Sequence, residues 1–177
     1  MIRPSIGLDE QKRKQSVDTL NKILANQNVL ITKTKKFHWD ISGPQFKSLH
    51  ELWDVHYEQL STRIDETAER IRMLGGYPIG TMQGFLELAS LKEQPGRIAG
   101  ATESVKALLN DHEQVIRELR EAIEITDKNG DVGTNDFLTG IIQDHEKMAW
   151  MLRSFVEGES VATDGQNPAA ANKTAYA

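Results

Sequence analysis

Four stretches of this chain carry apolar residues at helical spacing over at least six turns each, and apart from Gly140 in the last of them, glycine and proline fall between them rather than within their interiors. The first runs over residues 16–39 through Val17, Leu20, Leu24, Ile31 and Phe37. Ser42-Gly43-Pro44 interrupts it, because proline lacks a donor and forces its predecessor out of the helical region. The pattern resumes from Gln45 to Leu74 through Leu49, Trp53, Leu60, Ile64 and Ile71, and Gly75-Gly76 supplies the stop. A third helix is expected over 102–127, with Thr102 as its cap, ended by Asn129-Gly130. A fourth starts near Thr134 or Asn135 and runs to about Glu157, burying Leu138, Ile141, Met148, Leu152 and Phe155. Between the second and third, Thr81–Leu91 has one-turn apolar spacing but only enough length for a short helix.

No strand pattern competes, so the fold class is all-α: a single four-helix bundle of residues 16–157, with a short extra helix in its long second connection. Residues 1–15 read as a flexible N-terminal arm. Residues 158–177, polar and without periodicity, read as a flexible C-terminal tail. No run of eighteen apolar residues and no signal-type N-terminus are present, which points to the cytoplasm and away from membranes. Cysteine is absent, so thiol chemistry and disulfides are excluded and any metal site must use His, Asp and Glu. The net charge of −5 argues against a body that is basic throughout.

His50, Asp54, Asp65 and Glu69 share one face of the second helix. Asp54 and Asp65 are nevertheless eleven residues apart, roughly 16 Å along a straight helix, too far to hold one ion. His50 and Glu69, like Asp54 and Asp65, are placed symmetrically about a point between Gln59 and Leu60. Two copies of this helix crossing antiparallel there would bring His50 and Asp54 of one subunit against Asp65 and Glu69 of another, generating two equal sites. His38, beside the first turn, is positioned to add a second imidazole to the half that holds His50 and Asp54. Two imidazoles with carboxylates suit ferrous iron.

Phe37-His38-Trp39, then His50 twelve residues after His38, Asp54 four later, and Asp65-x-x-x-Glu69 resemble the Dps family of mini-ferritins; so does Gly130-Asp131-x-x-Thr134-x-Asp136-x-Leu138-Thr139, followed by Trp150. The resemblance spans most of residues 16–157. It implies a homo-oligomeric shell, a dodecamer, with ferroxidase centres at dimer interfaces and a cavity for ferric mineral. Fe(II) would be the substrate and hydrogen peroxide the expected oxidant, at a dinuclear or mono-plus-weak site shared between two subunits. His38, Asp65 and Glu69 would ligate iron, and His50 and Asp54 would complete a second, weaker position. Trp39 would absorb stray oxidising equivalents, Lys35 would pair with a site carboxylate, and Asp131 and Asp136 would line an iron-entry pore. The alternative is a nucleoid-compacting DNA-binding protein with iron oxidation secondary. It is less favoured, because Arg3, Lys12, Arg13 and Lys14 are offset by Asp9 and Glu10, and the C-terminal tail offers only Lys173.

Three histidines stand outside this constellation. His112 and His145 continue the apolar stripes of the third and fourth helices and are expected to be buried and hydrogen-bonded. His56 is expected at the surface or in an interface. An intra-bundle di-iron centre is not expected, since no Glu stands three residues before any histidine.

Overall fold

A computed structural model of the chain describes residues 4–98 and 100–164, with side chains up to 157. Five helices are present and no strand among the described residues: α1 (Glu10–Asp40), α2 (Phe46–Met73), α3 (Met82–Leu88), α4 (Ala101–Asn129) and α5 (Val132–Asp164). α1 and α2 form one hairpin, α4 and α5 another, and α1 lies against α4, while α2 and α5 meet more sparingly. α3 packs on α1 within the long crossover.

The helices begin and end where local chemistry dictates, and in two places beyond the sequence expectation. α1 starts at Glu10 rather than at 16, because the Asp9 side chain accepts from the Lys12 amide and caps it. The Arg13 guanidinium donates to the Pro4 carbonyl, so part of the expected arm is folded against the bundle. α5 continues to Asp164, past the expected end at Glu157; the rest of the expected tail, from 165, lies outside the described residues. Gly75 (φ +82°) and Gly130 (φ +69°) take the left-handed turns that end α2 and α4, as the sequence predicts. Thr81 caps α3 through the Gly84 amide, whereas Gly100, not Thr102, precedes α4.

Leu20, Leu24, Leu30, Phe37, Leu49, Trp53, Leu60, Leu108, Leu119, Leu138 and Leu152 fill a continuous core. Periodicity does not reveal the polar anchors that set the register. Asn26 accepts from the amides of Ser90 and Leu91 and donates to Glu118, fixing the crossover against α1 and α4. Lys33 and Asp111 form a largely enclosed ion pair of 2.6 Å between α1 and α4. Burial pushes the Asp111 carboxyl up and the Lys33 ammonium opposes it.

His112 and His145 are buried as expected, their Nδ1 atoms 3.0 Å apart. His56 is not at the surface: it is 1% exposed, because its position on α2 points inward beside Trp53 and Leu60. Burial pushes His56 down to about 4 and His145 down to about 4, the latter opposed to a smaller extent by Asp144 and reinforced by Arg63 and His56. His112 lies well below its ordinary value for the same reason, reinforced by its two histidine neighbours.

An unfolded chain would carry these imidazoles near their ordinary pKa of about 6.5 and take up protons that the folded bundle refuses. The stability associated with keeping them neutral is whole above about pH 6.5 and declines as the pH falls toward 4, by on the order of 3 kcal/mol for a fully buried imidazole. Denaturation midpoints measured across this range should fall more steeply for the native chain than for His145→Leu; equal slopes would contradict the buried neutral assignment.

Candidate metal centre

The α1–α2 turn is short, so the last turn of α1 lies beside the first turns of α2 and His38 meets His50. Their rings stack at 3.6 Å between centroids with 21° between planes. Each ring binds the other residue's backbone: His38 Nδ1–H donates to the His50 carbonyl and His50 Nδ1–H donates to the His38 carbonyl, both at 3.0 Å. A carbonyl can only accept, so these reciprocal bonds place the proton on Nδ1 in both rings and leave each Nε2 with a lone pair for a metal ion. Asp54, one turn beyond His50, brings a carboxylate oxygen to 3.5 Å from His38 Nδ1.

His38, His50 and Asp54 are the one group of His, Asp and Glu among the described residues whose potential ligand atoms all lie within 4.8 Å of one another. His38 is buried, while His50 and Asp54 are partly open. Asp65 and Glu69 are not part of this group. They stand exposed further along α2, with no ion-pair or hydrogen-bond partner of their carboxylates among the described residues. The helix rise puts Asp65 roughly 16 Å and Glu69 roughly 22 Å beyond Asp54. One subunit thus gathers His38, His50 and Asp54 beside the start of α2 and leaves Asp65 and Glu69 unpaired among the described residues toward its other end.

Tyr57, which the sequence reading did not single out, belongs to the cluster's surroundings. Its ring meets His38 edge-on at 5.4 Å, and the Asp54 carboxylate accepting from its hydroxyl holds the phenol above its ordinary value. Its place three residues after Asp54, on the same helix face, was the available signal. Lys35 lies over the Tyr57 ring at 5.3 Å, a cation–π contact, rather than on a site carboxylate. Trp39 is 73% exposed next to His38. Phe46 packs on His50 at 4.8 Å between ring centroids.

The two acids near the start of α5 are placed differently from each other. Asp136 is exposed. Asp131 is 2% exposed, accepts from the Thr134 amide at the start of α5, and pairs with the Arg70 guanidinium at 3.1 Å. Its carboxylate is therefore committed to holding α5 against α2 within the subunit.

Residues 17–160 match the ferritin-like domain family. An uncharacterized low temperature-induced protein from Nostoc sp. (strain PCC 7120) is 52% identical over 98% of each chain. DNA protection during starvation protein 2 of Bacillus anthracis is 43% identical over 81% of this chain and 97% of that one. The solved Dps protein of Vibrio cholerae O1, described as a member of a broad superfamily of ferritin-like diiron-carboxylate proteins, superposes with a TM-score of 0.83 at 32% identity, covering 88% of this chain and 98% of that one. Dps from Thermosynechococcus elongatus superposes with a TM-score of 0.79 at 32% identity, covering 82% and 92%. Fold and site together define a helical bundle of the ferritin-like class. Within that class, the chain belongs to the Dps family.

Arg70→Ala should destabilise the subunit by about 3 kcal/mol in denaturant unfolding, because it strips a buried carboxylate of its ion-pair partner. A loss below about 0.5 kcal/mol would show that Asp131 does not depend on Arg70.

Proposed function

We propose that the protein is a ferroxidase and iron-storing mini-ferritin whose oxidation sites are each completed by two subunits. The observation that carries this reading is the half-built cluster: His38, His50 and Asp54 converge, while Asp65 and Glu69 on the same helix face have no partner within the subunit. An isologous pairing of two α2 helices supplies each cluster with the missing carboxylates. Trp39 and Val55, exposed at 73% and 57%, add apolar surface near the cluster, which suits a face covered on assembly. Membership of the Dps family motivates the further reading of a dodecamer with an internal mineral cavity.

Fe(II) is the substrate. His38 Nε2, Asp65 and Glu69 would bind one ion, and His50 with Asp54 a second, weaker one. Carboxylate donors favour the ferric over the ferrous state and so ease electron loss. Two ferrous ions together deliver the two electrons that hydrogen peroxide accepts, which with two protons leaves two waters and two ferric ions. One-electron reduction, with release of hydroxyl radical, is thereby avoided. The Tyr57 hydroxyl orients Asp54, and Lys35 places positive charge beside that ring. Trp39 is accessible as a sink for stray oxidising equivalents. Iron entry by a pore near the start of α5 would rest on Asp136, since Asp131 is engaged with Arg70. We place the activity in the cytoplasm.

DNA compaction has no comparable observation behind it: Arg13 is held by Pro4 and Lys14 pairs with Asp18. Asp65→Ala with Glu69→Ala should lower the initial rate of peroxide-driven ferrous oxidation by roughly 10- to 100-fold without changing the assembly's mass. An unchanged rate in the intact assembly removes these two carboxylates from the site.

A further inference from the structure

Three imidazoles converge inside the bundle from three different helices: His56 of α2, His112 of α4 and His145 of α5, none more than 1% exposed. They lie on the inward side of α2, whereas Asp54 and the surface cluster face outward. His112 and His145 approach through their Nδ1 atoms at 3.0 Å, with 5.1 Å between ring centroids. His56 meets His112 edge-on at 5.9 Å. Both nitrogens of His56, and Nε2 of His112 and of His145, have no hydrogen-bond partner. The nearest acids are committed elsewhere, Asp111 to Lys33 and Asp144 to Arg63.

A buried nitrogen without a partner costs on the order of 1–3 kcal/mol, and folded proteins leave few of them. Of these, a nitrogen of His56 is the one that an occupant held between the facing Nδ1 atoms of His112 and His145 would satisfy. A tetrahedral zinc-class ion holds imidazole nitrogens at about 2.0–2.1 Å, which puts two such nitrogens roughly 3.4 Å apart and the ring centroids roughly 5 Å apart. The His112–His145 pair already has nearly that spacing, at 3.0 Å and 5.1 Å. The nitrogens of all three residues do not lie within 4.8 Å of one another. His56 has to move or turn inward, and no hydrogen bond of its ring must break for it to do so.

We propose that His56, His112 and His145 form a closed, all-nitrogen site for one borderline divalent metal ion of the zinc class within each subunit, distinct from the His38–His50–Asp54 cluster. Three uncharged nitrogen donors without an oxygen ligand suit zinc or cobalt better than magnesium or manganese, and they offer ferric iron no carboxylate. The ion ties α2 to the α4–α5 hairpin, the side of the bundle where helix contacts are sparse. Its role is structural, and it does not depend on the function proposed for the surface cluster.

Zinc retention by the full chain tests this. A background variant carrying His38→Ala, Asp54→Ala, Asp65→Ala and Glu69→Ala, stripped by chelator, reloaded with zinc sulfate and dialysed, should keep one zinc per subunit. It should lose that zinc when His112→Leu is added, and cobalt in its place should give the visible absorption of a tetrahedral site. Zinc retention that is absent, or that survives His112→Leu, overturns the proposal. Should His112→Leu fail to fold, zinc-soaked crystals of the native chain decide: an anomalous peak among the three rings upholds the site, and water density alone there overturns it.

Discussion

A straight α-helix advances 1.5 Å per residue, and that fixed rise governs which of this protein's histidines and carboxylates can meet within one subunit. His50 and Asp54 sit near one end of the α2 face, and Asp65 and Glu69 stand several turns away. No rotamer spans that gap. The short turn into α2 brings His38 alongside, and the exchanged Nδ1–H bonds lock both rings with their second nitrogens free. On the function proposed above, the subunit prepares two incomplete half-sites, and a twofold partner is the simplest way to complete both.

The bundle positions these half-sites through elements that differ in kind. Apolar packing fixes that α1 and α2 lie side by side, but such packing alone tolerates sliding between helices. Asn26 holding Ser90, Leu91 and Glu118, and Lys33 holding Asp111, set the longitudinal register of α1 against α4 and the crossover. Arg70 with Asp131 does the same for α2 against α5. Each pair is specific in direction, because a one-turn slip would leave a charge or amide buried without a partner. Precision at the α1–α2 end thus depends on polar contacts distributed along the whole bundle.

Much of this was legible in the sequence. The four long helices, the stops at Gly75 and Gly130 and the short crossover helix follow from periodicity and backbone chemistry, which act locally. The placement of His38 with His50 and Asp54 followed from spacing on either side of one turn. Residues whose role depends on a distant partner were less readable. The inward turn of His56, the commitment of Asp131 to Arg70 and the seat of Lys35 over Tyr57 each require knowing which helix faces which. Helix ends were also underread: Asp9 is a cap whose effect is visible only once Lys12 is seen to be helical. The proposed pairing of two subunits belongs to this less readable class, since one chain supplies only the symmetry of its residues.

Co-assembly of two complementary inactive subunits therefore probes the shared site most directly. One would carry His38→Ala with Asp54→Ala, the other Asp65→Ala with Glu69→Ala, and they would be mixed under conditions that randomise pairing before ferrous oxidation is measured. If each site takes its two halves from different subunits, every mixed dimer regains one intact site and the mixture recovers about a quarter of the native activity. Activity no higher than that of either parent, in assemblies shown to contain both chains, would contradict a site divided between partners.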